Sequence, residues 1–494
     1  MDEMTERTAS RSLPALAPPS RRVVVKGVAG LGAALTSSSL SSAARAQAQA
    51  PPPAGNVTAS IQSEWGPFTP SSSAGQYLQI VYPPSTKAGE LKIGVTYTLW
   101  IPDSIKTVRA VIVHQHGASI PAAQAGAISA YDLHWQALAK KWDCVLLGPS
   151  YRVLNDAIDL TPGGAELWFD PRLGSDRSFL RALDEFAAKS GHKEIATTPW
   201  CLWGHSGGGI WSDVMGALHP ERVLAAFLRS GSAATFRPKP EFPQPKIPPA
   251  IYEIPTMVNF GMGEKGRLPW NGSVATFQEY RAQGAPIGFA PDPRTGHWCG
   301  DSRYLAIPFF DACLQMRSTD WPNILKPIDM SAAWLAIPFG DTAVPAADFK
   351  GDPNKAAWLP NAAVAKIWME YVRTGTVSGT GAPPAPVNVR VKADAASGNE
   401  IIWDAEVDIA SGLGGFVVLR DGRGIARLPA QPPEQVYGRP LFQGLSYHDT
   451  PFAPLPQMRH VDNSAPAGNK HVYTVIALNS AGVPSLPSLP ATTG

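Results

Sequence analysis

A glycine-rich turn around one serine is the stretch whose residue types could do chemistry. Residues 200–203 form a short apolar run, residues 204–208 read Gly-His-Ser-Gly-Gly, and a helical pattern follows. In a Gly-x-Ser-x-Gly turn between a strand and a helix, the glycines let the backbone pack closely and the serine hydroxyl projects into a cleft. The free N–H groups at the start of the helix favour an anion formed beside that hydroxyl. Ser206 is therefore predicted to be a nucleophile.

His297 is the predicted base for this serine. A serine hydroxyl is a weak nucleophile at neutral pH, so it requires a base within hydrogen-bond reach and an acid that orients the base. His297 lies on a glycine-containing loop after the last strand pattern of the first part of the chain, which agrees with the order serine, acid, histidine. His205 is next to Ser206 in sequence, but its side chain should point away from the hydroxyl.

Glu264 is the predicted acid. It follows a strand pattern at residues 256–260, where the orienting carboxylate is expected. Asp292 and Asp301 flank His297 in sequence and compete with Glu264 for the same role. Each aspartate could instead serve a loop, and the sequence after Asp301 is typical of a helix that this residue caps.

Two N–H donors are needed to hold the oxyanion that forms when a serine attacks a carbonyl. One is expected from the backbone of Gly207, directly after the nucleophile, and the other from Gly117 or Ala118 in the loop after the third strand pattern. His114 and His116 in the same loop could alternatively bind a metal. No third histidine or carboxylate follows at the spacing of a metallohydrolase, so we expect neither a metal nor another cofactor.

The alternation of strands and helices predicts how these residues are positioned. Strand patterns lie at 76–82, 95–101, 110–114, 144–148, 200–203, 225–228, 256–260 and 287–290. Helical patterns lie at 131–142, 175–190, 274–283, 304–316 and 361–374, and one more runs from the serine turn to residue 218. This alternation over residues 76–374 predicts a doubly wound, mostly parallel α/β sheet. The first two strands alternate in polarity like half-buried strands.

Two segments within this region lack that alternation. Residues 236–249 contain six prolines, so we expect a rigid loop over the carboxyl edge of the sheet. Such a loop either shapes the substrate cleft or only covers the surface. Between residues 317 and 360 we find no pattern that predicts an element.

A second part of the chain follows a glycine- and proline-rich segment. Residues 375–386 are typical of an interdomain linker that is flexible at first and then stiffer. Residues 387–494 show only short strand patterns, one of which leads into the hairpin signal Asp421-Gly422. We expect a small all-β sandwich domain there.

The first 75 residues are not expected to belong to either fold. Residues 1–50 contain Arg21 and Arg22, a short apolar run and several small-residue cleavage sites, and they resemble a twin-arginine export signal. Residues 51–75 are rich in proline, serine and glycine, and we expect them to form a linker or an irregular N-terminal arm. The apolar run is far shorter than the roughly 20 residues that span a membrane, and no later segment is long enough. We therefore expect a periplasmic or secreted protein without a membrane span.

The composition excludes one class of partner. The 494 residues include 42 Lys and Arg against 40 Asp and Glu, with no dense basic run, so no nucleic-acid partner is expected. The four cysteines do not make a disulfide framework in so long a chain. Cys144 and Cys201 are expected to be buried thiols on interior strands that a third strand separates. Cys299 and Cys313 are close enough in sequence for one bridge.

Three motifs together resemble a known family. The serine turn at 204–208, the His-Gly pair at 116–117 and the Gly-His pair at 296–297 are similar to those of α/β-hydrolases, within the esterase and polyester-depolymerase-like branches. The resemblance covers about residues 75–375. One departure concerns the acid, because many relatives carry an aspartate in a Gly-Glu-Lys-Asp stretch and this chain has Gly266 at that position.

The second part of the chain resembles a different family. The strand that carries Trp403 and the run at 473–482 are similar to a fibronectin type III module, and the resemblance covers about residues 384–490. Such modules are β-sandwiches.

These observations predict a secreted serine hydrolase that cleaves carboxylic esters through an acyl-enzyme. Export, the β-sandwich and the 15 tryptophans favour a substrate outside the cytoplasm, such as a polymer or an esterified carbohydrate. Two alternatives stay open. One is a serine peptidase or amidase, which uses the same groups, and the other is a binding protein whose hydrolase domain is inactive.

Overall fold

The computed structural model describes residues 75–152, 167–319, 324–394, 398–431, 437–439, 441–452, 458–465 and 469–493. By their contacts, all of these residues belong to one unit. The predicted export signal at 1–50, and all of the predicted arm at 51–75 except its last residue, lie outside the described residues. No helix in the described part of the chain is long and apolar enough to cross a membrane.

An eight-stranded sheet forms the centre of the first part of the chain. Its strands are β1 (Gly75–Tyr82), β2 (Gly94–Pro102), β3 (Ala110–Gln115), β4 (Cys144–Arg152), β5 (Trp200–His205), β6 (Val223–Arg229), β7 (Thr256–Gly261) and β8 (Ile287–Asp292). The strand order is β1-β2-β4-β3-β5-β6-β7-β8. The first two pairs in this order are antiparallel and the other five are parallel. The predicted mostly parallel sheet is confirmed.

α-Helices lie in most of the connections between parallel strands and after β8, whereas the connection from β6 to β7 contains no α-helix. The helices are α1 (Ile120–Gly126), α2 (Leu133–Lys141), α3 (Ser175–Ser190), α4 (Gly207–Leu218), α5 (Leu268–Ala282), α6 (Arg303–Arg317) and α7 (Ala362–Thr374). The apolar stripe that predicts α3 is buried, with Phe179, Leu183 and Phe186 among its residues. α5 begins at Leu268 rather than at residue 274, because a proline in the first turn breaks the helical pattern in sequence without breaking the helix.

The strand β2 differs from its prediction. Its polarity alternates like that of a half-buried strand, yet every residue of β2 is buried. β2 pairs with β1 on one side and β4 on the other, and α2 and the 3₁₀ turn at Ser129–Tyr131 contact it. Thr98, one of its polar positions, is hydrogen-bonded within the sheet, since Gln79 Nε2 of β1 donates to Thr98 Oγ1 (3.1 Å).

A small second sheet forms in the region where no pattern was found. Its strands are β9 (Trp334–Ala336), β10 (Ala343–Pro345) and β11 (Ala357–Leu359), in the antiparallel order β10-β9-β11. Strands of three residues are too short to show a period in sequence. The proline-rich segment at 236–249 contains neither α-helix nor strand, as predicted.

The part after residue 386 contains two antiparallel sheets. Its strands are β12 (Val387–Asp394), β13 (Gly398–Asp404), β14 (Leu413–Arg420), β15 (Arg423–Leu428), β16 (Arg459–Asp462), β17 (Val472–Asn479) and β18 (Ala491–Thr492). The orders are β12-β13-β16 and β15-β14-β17-β18, and side chains of both sheets share one buried cluster. Asp421 and Gly422 join β14 to β15 with φ of 50° and 77°, so the predicted hairpin is confirmed.

This all-β part is joined closely to the α/β part. Leu133 of α2 belongs to the buried cluster that the two antiparallel sheets share. Val377 is buried in the cluster of the α/β part, and Asn479 Nδ2 donates to the Gly379 carbonyl (2.9 Å). The segment at 375–386 is thus held at several points, although its composition is typical of a flexible linker. The domain boundaries themselves stay a prediction.

All four cysteines are free and buried. Cys144 on β4 and Cys201 on β5 are separated by β3, as predicted. Cys299 and Cys313, which are both described, do not form the bridge that their spacing allows. Burial raises the pKa of the Cys201 and Cys299 thiols well above the ordinary value, which leaves little of the reactive thiolate.

We expect these thiols to react only when the chain unfolds. The native protein should release no colour with a chromogenic disulfide reagent, because the thiols are buried and protonated. The protein denatured without reductant should titrate four thiols per chain. A titre of two in denaturant would contradict the structure by revealing a bridge.

Candidate active site

Ser206 lies on the sharp turn between β5 and α4, near the centre of the sheet. Its φ of 57° and ψ of −117° are rare for a residue with a side chain. The backbone around it is close-packed, since a Cβ at Gly204 would be 2.1 Å from the Gly208 carbonyl oxygen. The Ser206 N–H donates to the Arg229 carbonyl (2.7 Å). The packing therefore requires glycine at position 204, as the turn motif predicts.

The structure brings the serine, the histidine and the glutamate of the sequence prediction together. Ser206 Oγ is 2.8 Å from His297 Nε2, and His297 Nδ1 is 2.5 Å from Glu264 Oε1. A carboxylate only accepts hydrogen bonds, so Nδ1 carries the proton and Nε2 can accept from the serine hydroxyl. This arrangement is suited to a nucleophile, its base and the acid that orients the base.

Glu264 is buried and ionised. Its residue is 2% exposed, and its Oε2 accepts from the Ser230 hydroxyl (2.6 Å). Burial raises the pKa of Glu264, but the hydrogen bonds from His297 and Ser230 and the positive charge of Arg229 outweigh it, so the pKa lies below its ordinary value. At neutral pH the carboxylate is therefore charged and available to the imidazole.

Arg229 holds the loop that carries His297, and the sequence analysis did not single it out. This residue ends β6 and is fully buried. Its Nη2 donates to Thr295 Oγ1 (2.8 Å) and to the Gly296 carbonyl (3.2 Å), and it also donates to the Trp298 carbonyl. A charged residue directly after an apolar strand pattern was the available signal.

Asp292, the first competing acid, bonds away from His297. Its carboxylate accepts from the Tyr371 hydroxyl (2.9 Å) and from the Arg294 N–H (2.9 Å). These contacts connect the end of β8 to α7 and to the following loop. Asp292 therefore fixes the loop that follows β8.

Asp301, the second competing acid, also bonds elsewhere, and its interpretation as a helix cap is wrong. Ser302 occupies the N-cap position of α6. The Asp301 carboxylate accepts from Thr376 Oγ1 (2.5 Å) and from the Arg439 N–H (2.7 Å). It therefore connects the α/β part to the segment at 375–386 and to the all-β part.

The loop after β3 packs against the serine turn. A Cβ at Gly117 would be 3.2 Å from Ser206 Cβ, and a Cβ at Gly207 would be 3.1 Å from the Ala118 nitrogen. Throughout the described ranges, no backbone carbonyl accepts from the N–H of Gly207 or of Ala118. Both N–H groups lie close to the serine and are candidates for oxyanion donors.

His116 orients the peptide between Gly117 and Ala118. Its Nε2 accepts from the Tyr151 N–H (3.0 Å), so its Nδ1 carries the proton and donates to the Gly117 carbonyl (2.5 Å). The C=O and N–H of a trans peptide point in opposite directions, so this bond turns the Ala118 N–H away from His116. Burial lowers the pKa of His116 to about 4, which keeps the imidazole neutral at pH 7.

His114, which lies on β3 rather than in the loop after it, has a structural environment. Its ring stacks on Trp203 with 4.0 Å between centroids, and its Nε2–H donates to Asp449 Oδ2 (3.2 Å). Among the residues that the structure describes, no group of three or more His, Cys, Asp or Glu side chains could hold a metal ion.

Comparison with known proteins finds likeness only among solved structures. No protein-family model and no curated protein matches the chain. The chain is similar to LpqC, a poly(3-hydroxybutyrate) depolymerase from Bordetella parapertussis, at 16% identity over 49% of this chain and 87% of that chain, with a TM-score of 0.33. It is similar to an S-formylglutathione hydrolase from Agrobacterium tumefaciens at 17% identity over 49% and 95%, with a TM-score of 0.33. An Fn3-like protein from Clostridium thermocellum matches at 20% identity over 23% and 92%, with a TM-score of 0.15.

Replacing Glu264 with glutamine should lower kcat about 10⁴-fold for a substrate of this site. The amide would offer an N–H to His297 Nδ1, which favours the tautomer whose Nε2 is protonated and cannot accept from Ser206. Steady-state kinetics of the Glu264→Gln variant with a chromogenic ester measure this loss.

Asp292→Asn is the matched control for this variant. The amide oxygen, placed where Oδ1 is now, could still accept from the Arg294 N–H, and the amide nitrogen could donate to the Tyr371 hydroxyl oxygen. We therefore expect kcat to stay close to that of the wild type. A loss in Asp292→Asn as large as that in Glu264→Gln would contradict Glu264 as the acid.

Proposed function

We propose that this chain is a serine hydrolase that cleaves carboxylic esters through an acyl-enzyme intermediate. The observation that carries the proposal is the line of contacts from Ser206 Oγ through His297 to Glu264, with 2.8 Å and 2.5 Å between the bonded atoms. The strained turn at Ser206 supports the same chemistry. The N–H groups of Gly207 and Ala118 support it too, because no backbone carbonyl among the described residues accepts from them. The choice of esters over amides rests on the resemblance of the three sequence motifs to those of esterases.

In the first half of the reaction, the serine becomes acylated. Nε2 of His297 takes the hydroxyl proton while Ser206 Oγ attacks the ester carbonyl carbon, and the carbonyl oxygen becomes an oxyanion. The N–H groups of Gly207 and Ala118 would hold that oxyanion. When the tetrahedral intermediate collapses, the bond to the alkoxy oxygen breaks, and the leaving alcohol receives the proton from His297.

In the second half, water releases the acyl group. His297 takes a proton from a water molecule, the hydroxide attacks the acyl carbon, and the oxyanion forms again in the same place. Collapse breaks the bond to Ser206 Oγ, which recovers its proton from His297, and the product is a carboxylic acid. Glu264 keeps the imidazole in the required tautomer and stabilises the imidazolium that forms twice in each cycle.

We also propose that the protein acts outside the cytoplasm, on a polymer or an esterified carbohydrate. The arginine pair and the small-residue sites in 1–50 support export by the twin-arginine route. We propose a catalytic domain at 76–374, a linker at 375–386 and a fibronectin type III-like sandwich at 387–494. The two antiparallel sheets with a shared core support the sandwich.

The protein recovered from the periplasm should begin near residue 50 in N-terminal sequencing, because the export signal would have been cleaved. An intact start at Met1 would overturn the export signal.

Ser206→Ala should reduce turnover of a short-chain p-nitrophenyl ester by about 10⁶-fold in kcat. The variant lacks the nucleophile but keeps every backbone contact of the turn, so its circular dichroism spectrum should match that of the wild type. Hydrolysis of the ester by the Ser206→Ala variant at the wild-type rate would contradict the proposed function.

A matched p-nitroanilide amide in the same assay separates esters from amides. The proposed function predicts that the wild type turns over the ester faster than the amide. Faster turnover of the amide would instead support a peptidase or amidase, and no turnover of either compound would favour a binding protein.

A further inference from the structure

A short segment of the all-β part lies directly behind the loop that carries His297. It comprises residues 446–450, and we call it the 446–450 turn. Every residue of the turn except Tyr447 is buried. The Tyr447 carbonyl accepts from the Cys299 N–H (3.1 Å), so the backbone of the turn bonds directly to the loop that follows His297. Residues far apart in the chain are thus joined at the candidate active site.

Asp449 anchors the 446–450 turn inside the α/β part. Its Oδ1 accepts from Arg303 Nε (2.7 Å), and its Oδ2 accepts from Trp135 Nε1 (3.1 Å) and His114 Nε2 (3.2 Å). Arg303 also donates to the Asp449 carbonyl (2.8 Å) and to Asp132 Oδ2 (2.7 Å). Asp449 and Arg303 are fully buried, and a buried charge is tolerated only when it is paired and hydrogen-bonded in this way. The position of the turn is therefore well determined.

Two imidazoles connect this turn to the backbone of His297. The His205 Nε2 is 2.7 Å from the His297 carbonyl oxygen, and because a carbonyl only accepts, Nε2 of His205 carries the proton. In a neutral imidazole the other nitrogen then accepts. The His448 Nδ1 lies 3.4 Å from His205 Nδ1, so His448 is the donor of this longer contact.

Both imidazoles are neutral in this environment. Burial lowers the pKa of His205 well below its ordinary value, and it lowers the pKa of His448 to about 3. The positive charge of Arg229 and the neighbouring imidazoles act in the same direction on His205. The tautomers deduced from the carbonyl contact therefore hold at neutral pH.

We propose that His448 is a positioning residue for the ester hydrolysis proposed above. Its Nδ1–H holds His205 in the tautomer that donates to the His297 carbonyl, and this keeps His297 Nε2 at hydrogen-bond distance from Ser206 Oγ. The inference rests on the proposed function. If His448 acts in this way, the all-β part contributes to kcat, because it supplies a side chain that orients the base.

This role can be tested with substitutions at His448 that differ in whether, and where, the new side chain places an N–H donor. His448→Phe keeps the ring and removes the donor, His448→Gln places an amide N–H near the position of Nε2, and His448→Asn places one near the position of Nδ1. With p-nitrophenyl acetate, kcat should fall about 10- to 100-fold in His448→Phe and His448→Gln, because a small displacement of a catalytic group is enough for such a loss. KM should change little, and His448→Asn should restore kcat to near the wild-type value.

His134→Phe is the matched control for a general loss of packing. His134 is buried at the same contact between the two parts of the chain, where its Nε2–H donates to the Ile409 carbonyl (2.9 Å). This variant should unfold at a lower temperature than the wild type but keep the wild-type kcat when assayed below that temperature. If His448→Phe fails to fold, the asparagine and glutamine variants decide the question.

Each outcome supports or overturns the proposal. Wild-type kcat in His448→Gln, equal kcat in His448→Asn and His448→Gln, or an equal loss in His134→Phe would overturn the role of His448. Ser206→Ala is included in the same assay. If turnover survives in Ser206→Ala, the proposed function fails and this inference fails with it, whereas loss in Ser206→Ala with full activity in His448→Gln overturns only the role of His448.

Discussion

The buried guanidinium of Arg229 is the interaction on which the site depends. The backbone carbonyl of this residue accepts from the Ser206 N–H, and its side chain donates to the two carbonyls that flank His297. The next residue, Ser230, donates to Glu264. Although burial lowers the pKa of Arg229, the nearby Tyr371, Asp292, Cys299 and Glu264 raise it above the ordinary value. The cation therefore persists, and its charge contributes to the lowered pKa of Glu264. One end of one strand therefore positions Ser206, His297 and Glu264 together.

Local sequence patterns predict the elements of this fold better than the contacts between them. The long apolar runs predict the parallel strands, and the turn at 204–208 predicts the strained serine. The strand β2 was predicted to be half-buried, because its burial comes from neighbours that its own alternation does not show. Asp292 and Asp301 could be set aside in favour of Glu264 only once the hydrogen-bond partners of each carboxylate were known. The 446–450 turn has no local signal, because its contacts join residues distant in the chain.

The all-β part is built into the α/β part rather than attached to its surface. A buried carboxylate from the 446–450 turn pairs with Arg303 of α6, and Leu133 of α2 completes the core of the antiparallel sheets. Burying an unpaired charge is far less favourable than burying a paired one, so the two parts should depend on each other for stability. A module that only captured substrate would not need buried contacts of this kind. The contacts therefore favour a role for the all-β part in positioning the loop of His297.

The most direct test of the account is covalent labelling of the native protein with a fluorophosphonate, followed by peptide mass spectrometry. Only a serine whose proton is taken by a neighbouring base reacts readily with this electrophile. The account predicts one adduct per chain, on Ser206, and no adduct in the Ser206→Ala variant. An unlabelled wild-type protein, or an adduct on a different residue, would contradict it.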